Sequence, residues 1–350
     1  MAVFRSSRGQ WNLPYFHAWS QRTADLQRRN VPLIGRGTRI ATIGSCFAEE
    51  IARALDYLNL NGQMHPAGRF YHTASIRQEI ERIFGEWPQY QSEPLWKVRD
   101  GLIHPFKDYH QVFPSESDLR QWSEKIDREA ESLFRSADVV LMTVGLIEAW
   151  MQPRTNSYYR EIPHPDAFDS CGAVFKRLSV SEMIDDLARV REMLKANTQA
   201  ELMITVSPIP LHVTMTDQDV RVANAESKSR VRAAVSEFVD AFSDVHYFHS
   251  YEIVTTAENQ SDFMMDDGRH VHRHAVEYIV QQFLAQFAKD DLRVPHVDTS
   301  WLTPPKKAAE GLAPTKRFKS SLRPGMGHQV KRFVRRQIAS MKKRVQSPGE

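Results

Sequence analysis

The sequence predicts an α/β protein, a three-layer α/β/α sandwich on a mainly parallel sheet. Three observations lead there. Short apolar runs rich in β-branched residues recur along the chain, longer helical patterns lie between them, and each run ends in a loop carrying chemically useful side chains. Such alternation requires crossover connections, which make neighbouring strands parallel and cover both faces of the sheet with helices.

Arg39-Ile40-Ala41-Thr42-Ile43 reads as the first strand, Gly44 as a sharp turn, and Phe47, Ile51 and Leu55 as the buried stripe of the helix that follows. Helices are expected over residues 73–84, 116–135, 179–196, 225–242 and 274–287, and further strands over 138–144, 201–206 and 245–248. Two long insertions, 86–115 and 150–172, are rich in aromatic residues and proline. Loops of that length are usually functional or disordered, and their aromatic content predicts ordered lids that rim a binding site.

Around this body, residues 37–290, the chain has an N-terminal extension (1–36), a proline-containing linker (291–326) and a basic amphipathic helix (327–350). The net charge of +3 conceals that division. Residues 301–350 hold 13 Lys and Arg against Glu310 and Glu350, which leaves the first 300 residues at −8. A helix such as 327–350 suits an anionic membrane surface or an acidic partner. Specific nucleic-acid binding is not expected of an acidic body. No run is long enough to span a membrane. The first 19 residues lack the apolar core of a secretory leader, so the expected location is cytoplasmic, with peripheral contact to the inner membrane surface through the tail. Cys46 and Cys171 are then expected as free thiols.

Gly44-Ser45-Cys46-Phe47-Ala48 places one of these cysteines where a strand becomes a helix. Unpaired N–H groups at a helix start favour a thiolate and can hold the oxyanion of acyl transfer, whereas Glu49 and Glu50 oppose the thiolate. Asp267 and His270 have the spacing at which a carboxylate on a tight turn fixes an imidazole tautomer. With Cys46 they supply nucleophile, base and orienting group for covalent catalysis. His270, His272 and His274 alternate, but the helix expected near His274 breaks a shared metal-binding face, so neither a metal nor another cofactor is expected.

Gly44-Ser45-Cys46-Phe47-Ala48 is also the signature of the GSCFA family, which the chain resembles from about residue 37 to 290. Gly68-Arg69-Phe70-Tyr71, Ser75-Ile76, the segment Gly145-Leu146-Ile147-Glu148-Ala149-Trp150, the segment from Thr205 to Leu211, Ser227-Lys228 and Asp267-Gly268-Arg269-His270 fit the same resemblance. That family is similar to the SGNH/GDSL hydrolases, which implies a flavodoxin-like sandwich and an esterase or acyltransferase acting on a small-molecule or glycan O-acyl ester.

By this resemblance Cys46 stands where those enzymes keep a serine, with Ser45 as the alternative nucleophile and Asp267 and His270 completing the triad. Gly68 stands for a second oxyanion donor. Gly145-Leu146-Ile147 lacks the asparagine of the third, for which a group near Glu148 is expected to substitute. Tyr71 and Ser75 each offer a hydroxyl to a ligand, Ser75 equally as a helix cap, and Ser207 lines the site or ends its strand. Lys228 reads as part of a solvated helix face, with contact to an anionic substrate as the alternative. The competing expectation is a protein that binds carbohydrate or a polyanion on the same fold without turnover.

Overall fold

Alternation within the strands decides which layer each side chain joins. In the computed structural model, which describes residues 4–5, 11–12, 31–86, 95–107, 110–257, 259–292 and 300, five parallel strands form the central sheet. They are β1 (Ile40–Gly44), β2 (Gly62–Met64), β3 (Val139–Val144), β4 (Glu201–Val206) and β5 (Val245–Phe248), in the order β5-β4-β3-β1-β2. Ala41, Ile43, Val140, Met142, Leu202 and Ile204 pack into one apolar cluster, while Ile40, Val139, Leu141 and Met203 pack into another. Adjacent residues face opposite ways, so the sheet is buried on both sides.

Helices α1 (Cys46–Tyr57), α6 (Ser250–Thr255) and α7 (Arg273–Phe287) cover one face, with Phe47, Ile51, Leu55, Ile253 and Phe283 in its core. The other face carries α2 (Thr73–Ile83), α3 (Glu116–Ser136), α4 (Val180–Asn197) and α5 (Val220–Ala241), through Ile76, Ile80, Phe134, Leu187, Val231 and Phe238. This is the expected α/β/α layering. Strand order reverses between β1 and β3, the switch point beyond whose carboxyl ends such sheets bind ligands.

The predicted strands agree with those observed to within a residue at each end. β2 escapes sequence reading because three residues are too few to show alternation. α5 begins five residues ahead of its apolar pattern, where Asp219 Oδ1 accepts the Arg221 N–H at 2.9 Å. α2 is capped by His72, whose Nδ1 accepts the Ser75 N–H at 3.1 Å. The expected cap, Ser75, sits inside the first turn and donates its hydroxyl to the His72 carbonyl.

The described parts of both insertions contain strands. Glu148–Gln152 pairs antiparallel with Ser157–Tyr159 and with Val174–Arg177, and Trp96–Val98 forms a hairpin with Gly101–Ile103. Trp96, Ile103, Phe106, Tyr159 and Cys171 close a small core between them. Met1–Pro305 forms one unit and Lys306–Glu350 a second. The expected basic helix 327–350 lies outside the described residues, as do most of the linker and most of the N-terminal extension; from that extension come a two-stranded ribbon (Phe4–Arg5 with Trp11–Asn12) and residues 31–36. Among the described residues no helix is long and apolar enough to cross a membrane.

One glycine governs the approach of β1 to β3. Gly44 has φ +142°, and a Cβ there would fall 2.3 Å from the Thr143 carbonyl oxygen. Gly44→Ala is therefore expected to destabilise the protein by about 3 kcal/mol, combining backbone strain with overpacking. A urea titration measures it, and an unchanged midpoint would show that the two strands need no such approach.

Candidate active site

α1 starts abruptly at the end of β1. Ser45 has extended backbone and caps the helix, its Oγ accepting the Phe47 N–H at 3.3 Å and donating to Ser207 Oγ at 3.4 Å. Ser45 is buried, so its hydroxyl serves the turn. Cys46 is the first residue of the helix, where a backbone N–H has no intrahelical carbonyl to reach.

A cavity of about 240 Å³ lies over this turn, lined by Ser45, Cys46, Tyr71, Gly145, Glu148 and Ser207, among others. Trp150, Tyr159, Arg160 and Glu161 bring the second insertion to its wall, whereas no described residue of 86–115 lines it. The first insertion thus departs from the rim expected of it. Its aromatic side chains pack behind Tyr159, with Trp96 and Phe106 at ring separations of 5.0 and 5.3 Å.

Burial pushes the Cys46 thiol up from its ordinary value, and Arg69 and Arg269 pull it back, with Glu49 adding to the rise. Desolvation therefore wins over the helix terminus, contrary to the bias toward thiolate expected from the turn alone. Glu49 does not act unopposed, since it pairs with Arg53 and with Arg69 at 2.9 Å. A thiol held protonated at rest needs a base.

Asp267 and His270 form their pair, with Asp267 Oδ2 at 2.5 Å from His270 Nδ1 and Asp267 Oδ1 accepting the Arg269 and His270 N–H groups at 2.9 Å. These bonds, led by that to the imidazole, hold the Asp267 carboxyl well below the usual carboxylate range. Both side chains are about half exposed. His270 makes no hydrogen bond to Cys46 and does not line the cavity; its neighbour Arg269 does, with Nε buried and without a hydrogen-bond partner.

The other expected residues divide. Gly68 has φ +86° and its N–H donates to the His65 carbonyl at 2.9 Å, so it shapes a turn beside an adjoining groove. Glu148 reaches the cavity, but its oxygens accept from Thr214 Oγ1 at 2.5 Å and the Met215 N–H at 3.0 Å, tying down the rim. Tyr71 lines both cavity and groove, and its phenol hydrogen-bonds Arg69. Ser207 is buried at the end of β4, its Oγ also accepting the Ile209 N–H at 3.2 Å.

Two further residues line the cavity, His72, which the sequence does not mark, and Lys228. His72 lines it with both ring nitrogens engaged, Nδ1 by Ser75 and Nε2 donating to the Tyr159 carbonyl at 3.0 Å; burial lowers its pKa to about 4. Lys228, expected on a solvated face, is 3% exposed and reaches the cavity wall. The signal was present in its spacing, three and seven residues ahead of the buried Val231 and Val235.

Compared with known families, the chain matches the GSCFA family over residues 39–283, an interval that takes in every site residue named above. A comparison with curated proteins finds no match.

If Arg269 offsets the burial of Cys46, Arg269→Gln should raise the thiol pKa further. The pH midpoint for alkylation of Cys46 by iodoacetamide would then move up by as much as about 1 unit. Intact-mass kinetics against a Cys46→Ser background read this out, and a midpoint that stays in place would separate Arg269 from the thiol.

Proposed function

We propose that this chain, which belongs to the GSCFA family, is a hydrolase or acyltransferase that works on O-acyl esters through a Cys46 thioester, on a fold related to that of the SGNH hydrolases. The observation that carries the reading is the position of Cys46, at a helix N-terminus, beyond the switch point of the sheet, in a cavity large enough for an acyl group. Sγ attacks the acyl carbon and the ester C–O bond breaks. The Cys46 N–H receives the developing oxyanion, a donor worth ~3 kcal/mol of transition-state stabilisation.

The second half reaction needs a base for the water or acceptor hydroxyl that resolves the thioester. His270, steered by Asp267, suits that step: it is exposed enough to meet an incoming acceptor, and with Nδ1 held it presents Nε2. Cys46 then leaves as thiolate and is reprotonated. The cavity mixes Trp150, Ile209 and Leu211 with Arg160, Glu161 and the spare Arg269 donor, which accommodates an apolar acyl chain on a polar, glycan-like acceptor.

The competing reading is a binding protein on the same fold. It draws on a thiol that rests protonated and has no hydrogen-bonded base.

Rapid-mixing kinetics with a chromogenic acyl ester separate the steps. Wild type should show a burst followed by turnover, and Cys46→Ala neither. His270→Ala should keep the burst while turnover falls ~10²–10⁴-fold. Ester cleavage that persists in Cys46→Ala, or a wild type without a burst that still binds the ester, would favour the alternatives.

A further inference from the structure

Lys228 is a buried ionisable group at the cavity that the mechanism above leaves unused. It projects from the buried stripe of α5, and its Nζ donates to the Ser207 carbonyl at 2.8 Å and to the Gly145 carbonyl at 3.1 Å. These carbonyls follow β4 and β3, so the amine sits across the ends of two adjacent strands, on one side of the switch point. Gly145 leaves the space for it, since a Cβ there would lie 3.3 Å from Nζ and 3.1 Å from Ser207 Cβ.

No carboxylate among the described residues lies within ion-pair distance of Lys228. An ammonium buried without a counter-ion is strongly disfavoured. A neutral amine fits the surroundings: its two N–H bonds match the two carbonyls and its lone pair is left over. Burial accordingly drives the lysine down to about 7, and the charge that pulls it back up is that of Cys46. Ser207 links the two residues, its carbonyl accepting from Lys228 and its Oγ from Ser45, the neighbour of Cys46. The other ionisable groups facing the cavity are Tyr71 after β2, His72 at the start of α2, Glu148 after β3, Tyr159, Arg160 and Glu161 from the second insertion, His212 after β4, and Arg269 ahead of α7.

We propose that Lys228 is the base that takes the Cys46 proton, so that the nucleophile works as a Cys–Lys pair and the Asp267–His270 pair serves the acceptor. This rests on the acyl-transfer reading of Cys46. The thiol proton passes to the Nζ lone pair as Sγ bonds to the acyl carbon and the carbonyl π pair moves onto oxygen. When the intermediate collapses, the ester C–O bond breaks, the leaving alkoxide takes that proton from the ammonium, and Lys228 is neutral again. A base near neutrality suits this exchange at physiological pH.

The test follows Cys46 alone. Its alkylation by iodoacetamide is recorded from pH 5 to 10 by intact mass, with Cys46→Ser as background. Thiol and amine titrating as a coupled pair should give wild type a first step near pH 7, below the step of an isolated buried thiol. Lys228→Met should remove that step, move the midpoint up by at least about 1 unit and slow alkylation at pH 8 at least about tenfold, while His270→Ala leaves the profile in place.

A wild-type profile with a single step above pH 9 would overturn the pairing even if Lys228→Met failed to fold. So would a folded Lys228→Met that superimposes on wild type, or a profile that moves with His270. No substrate enters this assay. Loss of the neutral step in Lys228→Met, without burst or turnover on any ester, would leave the pair standing and remove the hydrolase reading instead.

Discussion

The close passage of β1 over β3 at Gly44 is the contact on which the site depends. With the Thr143 carbonyl oxygen 2.3 Å from where a Cβ would stand, only glycine lets β1 run its full length in register and still turn at once into α1. Because the turn is that short, Ser45 must cap the helix with its own side chain, and Cys46 falls on the first helical residue. A longer connection would carry the cysteine away from the switch point, where the strand ends open a space that neither helical layer fills.

Burial then sets the chemistry. The thiol, the lysine and the tyrosine that meet at the cavity are all shifted toward their neutral forms, each chiefly by desolvation. The cationic groups near Cys46, Arg69 and Arg269, moderate the effect without reversing it. With Cys46 in its proposed role, such a site stores a neutral nucleophile and creates charge only when a proton moves, and oriented N–H groups count for more there than in water. The imidazole pair stands in a different environment, half exposed, on the side that the proposed reaction leaves open to an acceptor.

Much of this was legible in the residues. β3 and β4 announce themselves as continuous apolar runs because both faces of the sheet are covered, and Phe47, Ile51 and Leu55 mark the α1 stripe that packs beneath them. The Asp267–His270 spacing likewise gave the observed pair. What sequence reading lost depends on long-range placement. The engagement of Glu148 by Thr214 and Met215 appears only when segments distant in sequence meet, whereas the Gly68 N–H is taken up locally, by the carbonyl of His65 in the same turn. Lys228 was misread for another reason: charge suggested solvent, although its spacing relative to Val231 and Val235 placed it on the buried stripe, where two carbonyls satisfy it.

The central claim, a thioester on Cys46, is tested most directly by locating the acyl group after a single turnover with a slow ester. Quenching in acid, digesting with trypsin and weighing the peptide from Ile40 to Arg53 isolates Cys46 and Ser45 together. The account predicts the acyl mass on this peptide and its release by neutral hydroxylamine, which cleaves thioesters and spares oxygen esters. An adduct that resists hydroxylamine, placing it on Ser45, or one found on another peptide would contradict it.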